Sequence, residues 1–144
     1  MTVEGNLGPE DCSVFSRRVF RERFLGREAE FMGDLAAELA AAEGAGFGAF
    51  AARFLDRVHP RAFFDYCRSI VDYSDNVPLF ERFAGELDCP RLYVHGSENT
   101  HLTHIPRLAR HGIPVASIAG SNHFPVLSNA DAYYRALANF MRDT

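Results

Sequence analysis

The chain has 144 residues, of which 47% are hydrophobic and 24% charged, and its formal net charge is −4. These totals are typical of a soluble globular domain that is large enough to bury a core. Acidic and basic residues are interspersed, so the charge pattern favours neither a nucleic-acid partner nor a membrane surface. No basic stretch leads into a long uncharged apolar run, which predicts a cytoplasmic protein.

Residues 1–11 suggest the end of a strand and a loop, and residues 12–87 are predicted to be helical. In the helical part, apolar residues recur at three- and four-residue spacing. Gly26 and Gly33 are expected to kink or break the first helices, and His59-Pro60 to end one helix and open the next. Ser74-Asp75 is expected to cap a further helix.

Residues 88–144 have the pattern of two buried parallel strands joined by a helix. The apolar run 92–94 and the run 115–119 predict the strands, and residues 103–110 predict the helix, which Gly112 ends in a left-handed conformation. In such a unit, functional groups lie in the loops at the carboxyl ends of the strands. Ser128, with Asp131 three residues on, predicts the start of a last helix.

The segments CPRLYVHGSEN and GSNHFPVLSN, followed by an amphipathic helix, resemble the C-terminal part of α/β-hydrolases. VEGNLGPEDC resembles the end of the strand that follows the nucleophile helix in that family. The resemblance implies an α/β fold with few parallel strands, in residues 1–11 and 88–144, and a helical cap at 12–87. It covers nearly the whole chain but only the second half of the family's fold. It implies a hydrolase that needs no cofactor and acts on small apolar esters or halogenated substrates.

His123 lies in the loop after the second predicted strand, and the resemblance implies that it is the catalytic general base. An imidazole suits that role because it takes up and releases a proton near neutral pH. From the residues alone, the alternative is a loop histidine that caps the next helix or is merely exposed.

A catalytic histidine needs a carboxylate that holds its tautomer and stabilises the imidazolium. In the family the acid often ends a G-x-x-D turn after the penultimate strand, but here that position holds Asn99. Some haloalkane dehalogenases instead use a glutamate just after the earlier strand, and Glu4 in VEGN resembles it. Glu4 is therefore preferred and Glu98 comes second, although by spacing alone each is a solvated loop charge.

The nucleophile is missing from the sequence: no G-x-S-x-G motif occurs, and no elbow serine or aspartate precedes Glu4. Ser121 is only two residues from His123 and can rarely present its hydroxyl to that imidazole, and Ser97 is predicted to be a turn residue. The chain is therefore expected to be an N-terminally shortened hydrolase, or one half of an assembly, and inactive alone. Its open strand edges predict that an isolated sample oligomerises or binds a hydrophobic dye.

Three other signals favour ordinary structural roles. His95, His101 and His104 are close in sequence but lack a metal-binding motif, so they are predicted to be surface histidines without a metal. The glycine-rich segment 44–48 follows a helix rather than a strand, which favours a cap hinge over a phosphate cradle. The widely spaced Cys12, Cys67 and Cys89 predict reduced buried thiols rather than a disulfide framework or a zinc site.

The chain has 13 phenylalanines and no tryptophan. Most are predicted to be core residues, and four are candidates for an apolar pocket that takes a small-molecule substrate under the cap: Phe15, Phe20, Phe47 and Phe50. The alternative is that the helical part folds independently, and that the protein is a non-catalytic ligand-binding or interaction module.

Overall fold

The computed structural model describes residues 2–3, 5–12, 16–21, 24–43, 53–99 and 102–144. The chain forms two compact units. Met1–Gly8 and Pro78–Thr144 form one, here called the strand unit, and Pro9–Val77 form the other, the helical unit. Residues 78–87, which the sequence assigned to the cap, belong to the strand unit by this division. The division into a cap and a catalytic core as functional parts stays a prediction.

The helical unit begins with a 3₁₀ turn, Pro9–Cys12, and continues with α1 (Arg18–Arg21), α2 (Glu28–Glu43) and α3 (Pro60–Asn76). Its core is rich in aromatic rings; Phe24, for example, meets Phe31 edge to face, with ring centroids 5.1 Å apart. The apolar residues buried in this core are Val19, Phe24, Phe31, Leu35, Leu55, Phe63 and Cys67.

The strand unit contains a parallel sheet in the order β1 (Thr2–Val3), β2 (Tyr93–Gly96) and β3 (Val115–Ile118). Gly96 is opposite Ile118 in the register of β2 and β3. The α/β prediction is confirmed in this coarse sense, with few parallel strands.

Four short or medium helices complete the strand unit: α4 (Leu79–Glu81), which continues as a π-helical turn Arg82–Glu86, then α5 (Ile105–Arg110), α6 (Pro125–Ser128) and α7 (Ala130–Asp143). The strand β2 is buried on both faces. Tyr93 belongs to an apolar cluster with Leu108 of α5, whereas Val94 belongs to another with Tyr133 of α7. Successive strand side chains point to opposite faces, so helices cover both sides of β2. None of the helices in the described ranges is long and apolar enough to span a membrane.

Three predicted helix boundaries are wrong. Gly33 does not break a helix but lies within α2; the break falls at Gly26, whose φ is +91°. Ser74 does not cap a helix, because α3 runs on to Asn76, and the buried Ser74 hydroxyl accepts a hydrogen bond from the Cys12 thiol at 3.2 Å.

The third wrong boundary is the start of α7. Asn129 caps this helix rather than Ser128, because its side-chain oxygen accepts a hydrogen bond from the Ala132 N–H at 3.2 Å. The Ser128 hydroxyl instead donates backwards to the Phe124 carbonyl at 3.1 Å.

The cysteines match their prediction in part. All three are free thiols, and Cys12 and Cys67 are buried, but Cys89 is exposed. Burial raises the pKa of the Cys67 thiol to about 11.

Candidate active site

Two loops meet at the carboxyl ends of β2 and β3. The parallel strands end at Gly96 and Ile118, so residues 97–99 and 119–124 leave the sheet at the same edge. The Ser97 N–H donates to the Ile118 carbonyl at 2.9 Å, and the Glu98 N–H donates to the Ser121 carbonyl at 3.0 Å. These backbone bonds join the two loops, here called the β2 loop (97–99) and the histidine loop (119–124).

Gly96 allows the histidine loop to lie directly against the end of β2. A Cβ atom at this position would stand 2.1 Å from the Asn122 carbonyl oxygen and 2.3 Å from the Ser121 carbonyl oxygen. Such separations are far below van der Waals contact, so only glycine is compatible with this approach. The sequence pattern did not indicate this role, because it depends on a loop 25 positions later in the chain.

Two side chains, Ser97 and Asn129, make further hydrogen bonds to the backbone of the histidine loop. The Ser97 hydroxyl accepts a hydrogen bond from the Gly120 N–H at 3.1 Å, and Gly120 turns the chain with a φ of +62°. The Asn129 amide donates to the Ala119 carbonyl at 3.0 Å. Ser97 is thus a turn residue, as its sequence context predicted, and it also holds the neighbouring loop.

His123 lies in this anchored loop and its side chain is exposed. The ring stands edge to face on Phe124, with centroids 4.6 Å apart and an interplanar angle of 87°. The imidazole is therefore presented at the surface from a loop whose backbone is fixed two and three residues earlier. This position is compatible with proton transfer to and from a bound molecule.

The structure places only one of the two candidate carboxylates. Glu98 is exposed in the β2 loop, and its N–H donates to the carbonyl of Ser121, two residues before His123. Glu4 lies outside the described residues. Asn99, at the family's usual acid position, is only 7% exposed, and its N–H donates to the Gly96 carbonyl at 3.1 Å. The fold thus brings the loops of Glu98 and His123 together.

Neither loop serine has the surroundings of an activated nucleophile. The side chain of Ser121 is only 1% exposed, so its hydroxyl is shielded from an incoming substrate. Ser97 is exposed, but its oxygen accepts the Gly120 N–H. The attacking group of a hydrolase is therefore not found in these two loops.

The neighbouring histidines have separate roles, and one prediction about them is wrong. His104 is not on the surface but fully buried, edge to face with Tyr93 at a centroid distance of 4.9 Å. His95 is partly buried and its Nδ1 lies 2.8 Å from the Gly96 carbonyl oxygen. His101 lies outside the described residues. Within the described ranges, no group of three or more histidine, cysteine, aspartate or glutamate side chains is arranged to hold a metal ion.

Of the four candidate pocket phenylalanines, only Phe20 is described. It belongs to the helical unit, is 39% exposed and meets Phe64 edge to face at 5.3 Å. Phe15, Phe47 and Phe50 lie outside the described residues, as does the glycine-rich segment 44–48.

Comparison with known proteins gives no match: no family model, no curated protein and no solved structure is similar to this chain.

Proposed function

We propose that this chain is the C-terminal part of a hydrolase of the α/β-hydrolase class and that His123 is its general base. The observation that carries the proposal is the anchored histidine loop. An exposed imidazole follows the last parallel strand, and backbone hydrogen bonds tie its loop to the loop of Glu98. Catalytic groups of open α/β sheets lie at this edge.

The proposed chemistry needs a proton acceptor and a carboxylate. The imidazole of His123 takes the proton either from a serine hydroxyl that attacks an ester, or from a water that attacks an ester intermediate on an aspartate. It then returns the proton to the leaving group, and such catalysis contributes about 10²–10⁴-fold in rate. Glu4 or Glu98 orients the ring and stabilises the imidazolium, a role that the uncharged amide of Asn99 does not fill.

The attacking group is supplied by residues outside this sequence, since the 144 residues contain no nucleophile motif. Alone, the chain should show no appreciable hydrolase activity. The proposed substrates are small, largely apolar esters or halogenated compounds.

The experiment begins with the coding DNA upstream of Met1. If it continues in frame through a G-x-S-x-G or G-x-D-x-G elbow, the longer protein is expressed and tested for turnover of short esters and haloalkanes. His123→Gln should lower kcat by about 10²–10⁴-fold while leaving the fold intact. The matched control is His111→Gln, because His111 is also exposed but lies just before β3, at the opposite end of that strand.

The longer protein also shows which carboxylate acts with His123. Glu4→Gln and Glu98→Gln are compared, and the variant with the larger loss of kcat marks the carboxylate that acts with the imidazole. Unchanged turnover in His123→Gln would remove His123 from the mechanism. A fluorophosphonate probe that labels the 144-residue chain, with labelling lost in Ser97→Ala, would overturn the proposal that the nucleophile lies elsewhere.

A further inference from the structure

The segment 119–129 begins where β3 ends and finishes where α7 starts, and one side chain joins its two ends. The Asn129 amide donates to the Ala119 carbonyl at 3.0 Å, so the segment is closed by a hydrogen bond. Compact surface loops of about 6–16 residues whose ends meet in this way frequently have a function. His123 lies near the middle of this segment.

Asn129 is itself held in place by the helices on either side of it. The oxygen of its amide accepts the Ala132 N–H at 3.2 Å and thereby caps α7. Its backbone N–H donates to the Pro125 carbonyl of α6 at 2.9 Å, and its carbonyl accepts the Tyr133 N–H at 3.0 Å. Because these bonds fix the amide, its hydrogen bond fixes the Ala119 carbonyl relative to the start of α7.

The backbone is bonded on both sides of His123. After it, the Phe124 carbonyl accepts the Leu127 N–H at 2.9 Å, and it also accepts the N–H and the hydroxyl of Ser128, each at 3.1 Å. Before it, the first half of the histidine loop is bonded to the β2 loop. The Asn129 amide joins these two sides, since it connects the end of β3 with α6 and α7.

We propose that Asn129 is a positioning residue for His123, which sets where the imidazole stands by holding the Ala119 carbonyl against the start of α7. The inference rests on the proposed role of His123 as general base. A general base must lie within hydrogen-bond reach of the proton that it takes, and a displacement of about 1 Å can lower a rate about 100-fold. Aspartate and serine also cap helices well, but asparagine adds an N–H donor on a separate atom, and the bond to Ala119 needs that donor.

Asn129→Asp separates the two roles of the amide. Aspartate caps a helix as well as asparagine does, and its charge is favourable at a helix N-terminus, so the bond from the Ala132 N–H should persist. Aspartate has no N–H to donate, however, and its carboxylate oxygens repel the Ala119 carbonyl oxygen. Asn129→Ala removes both roles. The matched control is Asn139→Asp, because Asn139 is exposed on α7, and a carboxylate there can still accept the hydrogen bond from Arg142.

Amide hydrogen exchange of the 144-residue chain, measured by NMR, tests the closure of the segment. Two amides report on it: the Gly120 N–H, which donates to the Ser97 hydroxyl, and the Ala132 N–H, which donates to the cap. Asn129→Asp should speed exchange at Gly120 by about 3–10-fold, the equivalent of one hydrogen bond, and leave exchange at Ala132 unchanged. Asn129→Ala should speed exchange at both amides, and Asn139→Asp at neither.

The ring of His123 gives a readout that a purely structural role of Asn129 would not change. The NMR resonances of this imidazole should shift or split in Asn129→Asp, whereas those of the exposed His111 should stay in place. In the longer protein, Asn129→Asp should lower kcat roughly 10–100-fold with little change in KM.

Unchanged exchange at Gly120, or unchanged His123 resonances, in Asn129→Asp would overturn the positioning role. Full kcat in Asn129→Asp of a longer protein that His123→Gln inactivates would overturn it too, and would leave the proposed function standing. Full turnover in His123→Gln would instead overturn the proposed function. The measurements on the 144-residue chain distinguish that result from a failure of the loop closure.

Discussion

The substitution Gly96→Ala should displace the histidine loop, because the structure leaves no room for a side chain at this position. The new Cβ atom would lie 2.1 Å from the Asn122 carbonyl oxygen and 2.3 Å from that of Ser121. An ordinary carbon–oxygen contact is about 3.3 Å or longer, so the loop must retreat by about 1 Å. Both obstacles are backbone atoms, and rotation of a side chain cannot relieve the clash.

The expected cost follows from two terms. Overpacking of a close contact costs about 1–3 kcal/mol. Moving the loop also weakens the hydrogen bonds from the Ser97 and Glu98 N–H groups, which lie at 2.9 and 3.0 Å from their acceptors, at about 0.5–1.5 kcal/mol each. The free energy of unfolding of the strand unit should therefore fall by about 2–6 kcal/mol.

Urea denaturation followed by far-UV circular dichroism measures this change, and Gly33→Ala is the matched control. Gly33 is exposed within α2, and its added Cβ atom would have no neighbour within 4 Å among the described atoms. Alanine favours helix, so this variant should stabilise the helical unit by about 0.5–1 kcal/mol. The same chemical change thus has opposite signs at the two sites.

Amide hydrogen exchange adds a local measurement. The N–H groups of Ser97 and Glu98 should exchange slowly in the unaltered chain, because they are bonded to the histidine loop. They should exchange faster in Gly96→Ala. If stability and the protection of these two amides were both unchanged in Gly96→Ala, the close approach of the loop to β2 would be refuted.

Two further predictions concern a buried thiol and a helix cap. Burial raises the pKa of Cys67 from the ordinary 9.0 to about 11, so the unfolded thiol ionises first as the pH rises. Between pH 9.0 and about pH 11, the free energy of unfolding of the unaltered chain should fall by at most about 3 kcal/mol more than that of Cys67→Ala. If the free energy of unfolding fell equally in the two proteins over this range, the prediction would be contradicted. A maleimide at neutral pH should label the exposed Cys89 but not Cys67. Asn129→Ala removes both the cap and the hydrogen bond to the Ala119 carbonyl, so it should lower stability by about 1.5–2.5 kcal/mol in thermal denaturation. Ser128→Ala should lower it by less than about 0.5 kcal/mol, and equal losses would contradict these two roles of Asn129.

The strand unit was largely predictable from the sequence because its signals are local. A strand buried on both faces is a short uninterrupted apolar run, and helices in this unit cover both sides of β2. The glycine signals are also local: Gly112 and Gly120 have φ values of +67° and +62°, a conformation that other residues rarely adopt.

The wrong helix boundaries have a common physical cause. Serine, aspartate and asparagine all cap helices well, so a sequence such as Ser74-Asp75 or Ser128-Asn129 does not say which residue acts. Contacts with residues distant in the sequence decide which of them caps the helix. Ser74 accepts a hydrogen bond from Cys12, 62 residues away in the chain, and this contact keeps its hydroxyl inside the core of the helical unit.

The candidate site was predictable in one respect and not in another. The position of His123 in the loop after a strand could be predicted from the sequence, because loops that follow parallel strands lie at the same edge of the sheet. The hydrogen bond from the Gly120 N–H to the Ser97 hydroxyl could not be predicted from the sequence, because only the pairing of β2 with β3 brings these two residues together. Sequence patterns indicated the candidate side chain, whereas the groups that hold its loop in place depend on tertiary structure.

Gly96 also helps to select the register of the sheet. A shift of β3 by one residue relative to β2 would bring His95 or Ser97 to the place of Gly96, against the Asn122 carbonyl. Either side chain would meet the obstruction that a Cβ atom meets at Gly96. The same shift would exchange the buried Ile118 for the exposed Ser117 on the core face. The observed register therefore satisfies both the loop and the core, and it sets where the imidazole of His123 stands relative to the β2 loop.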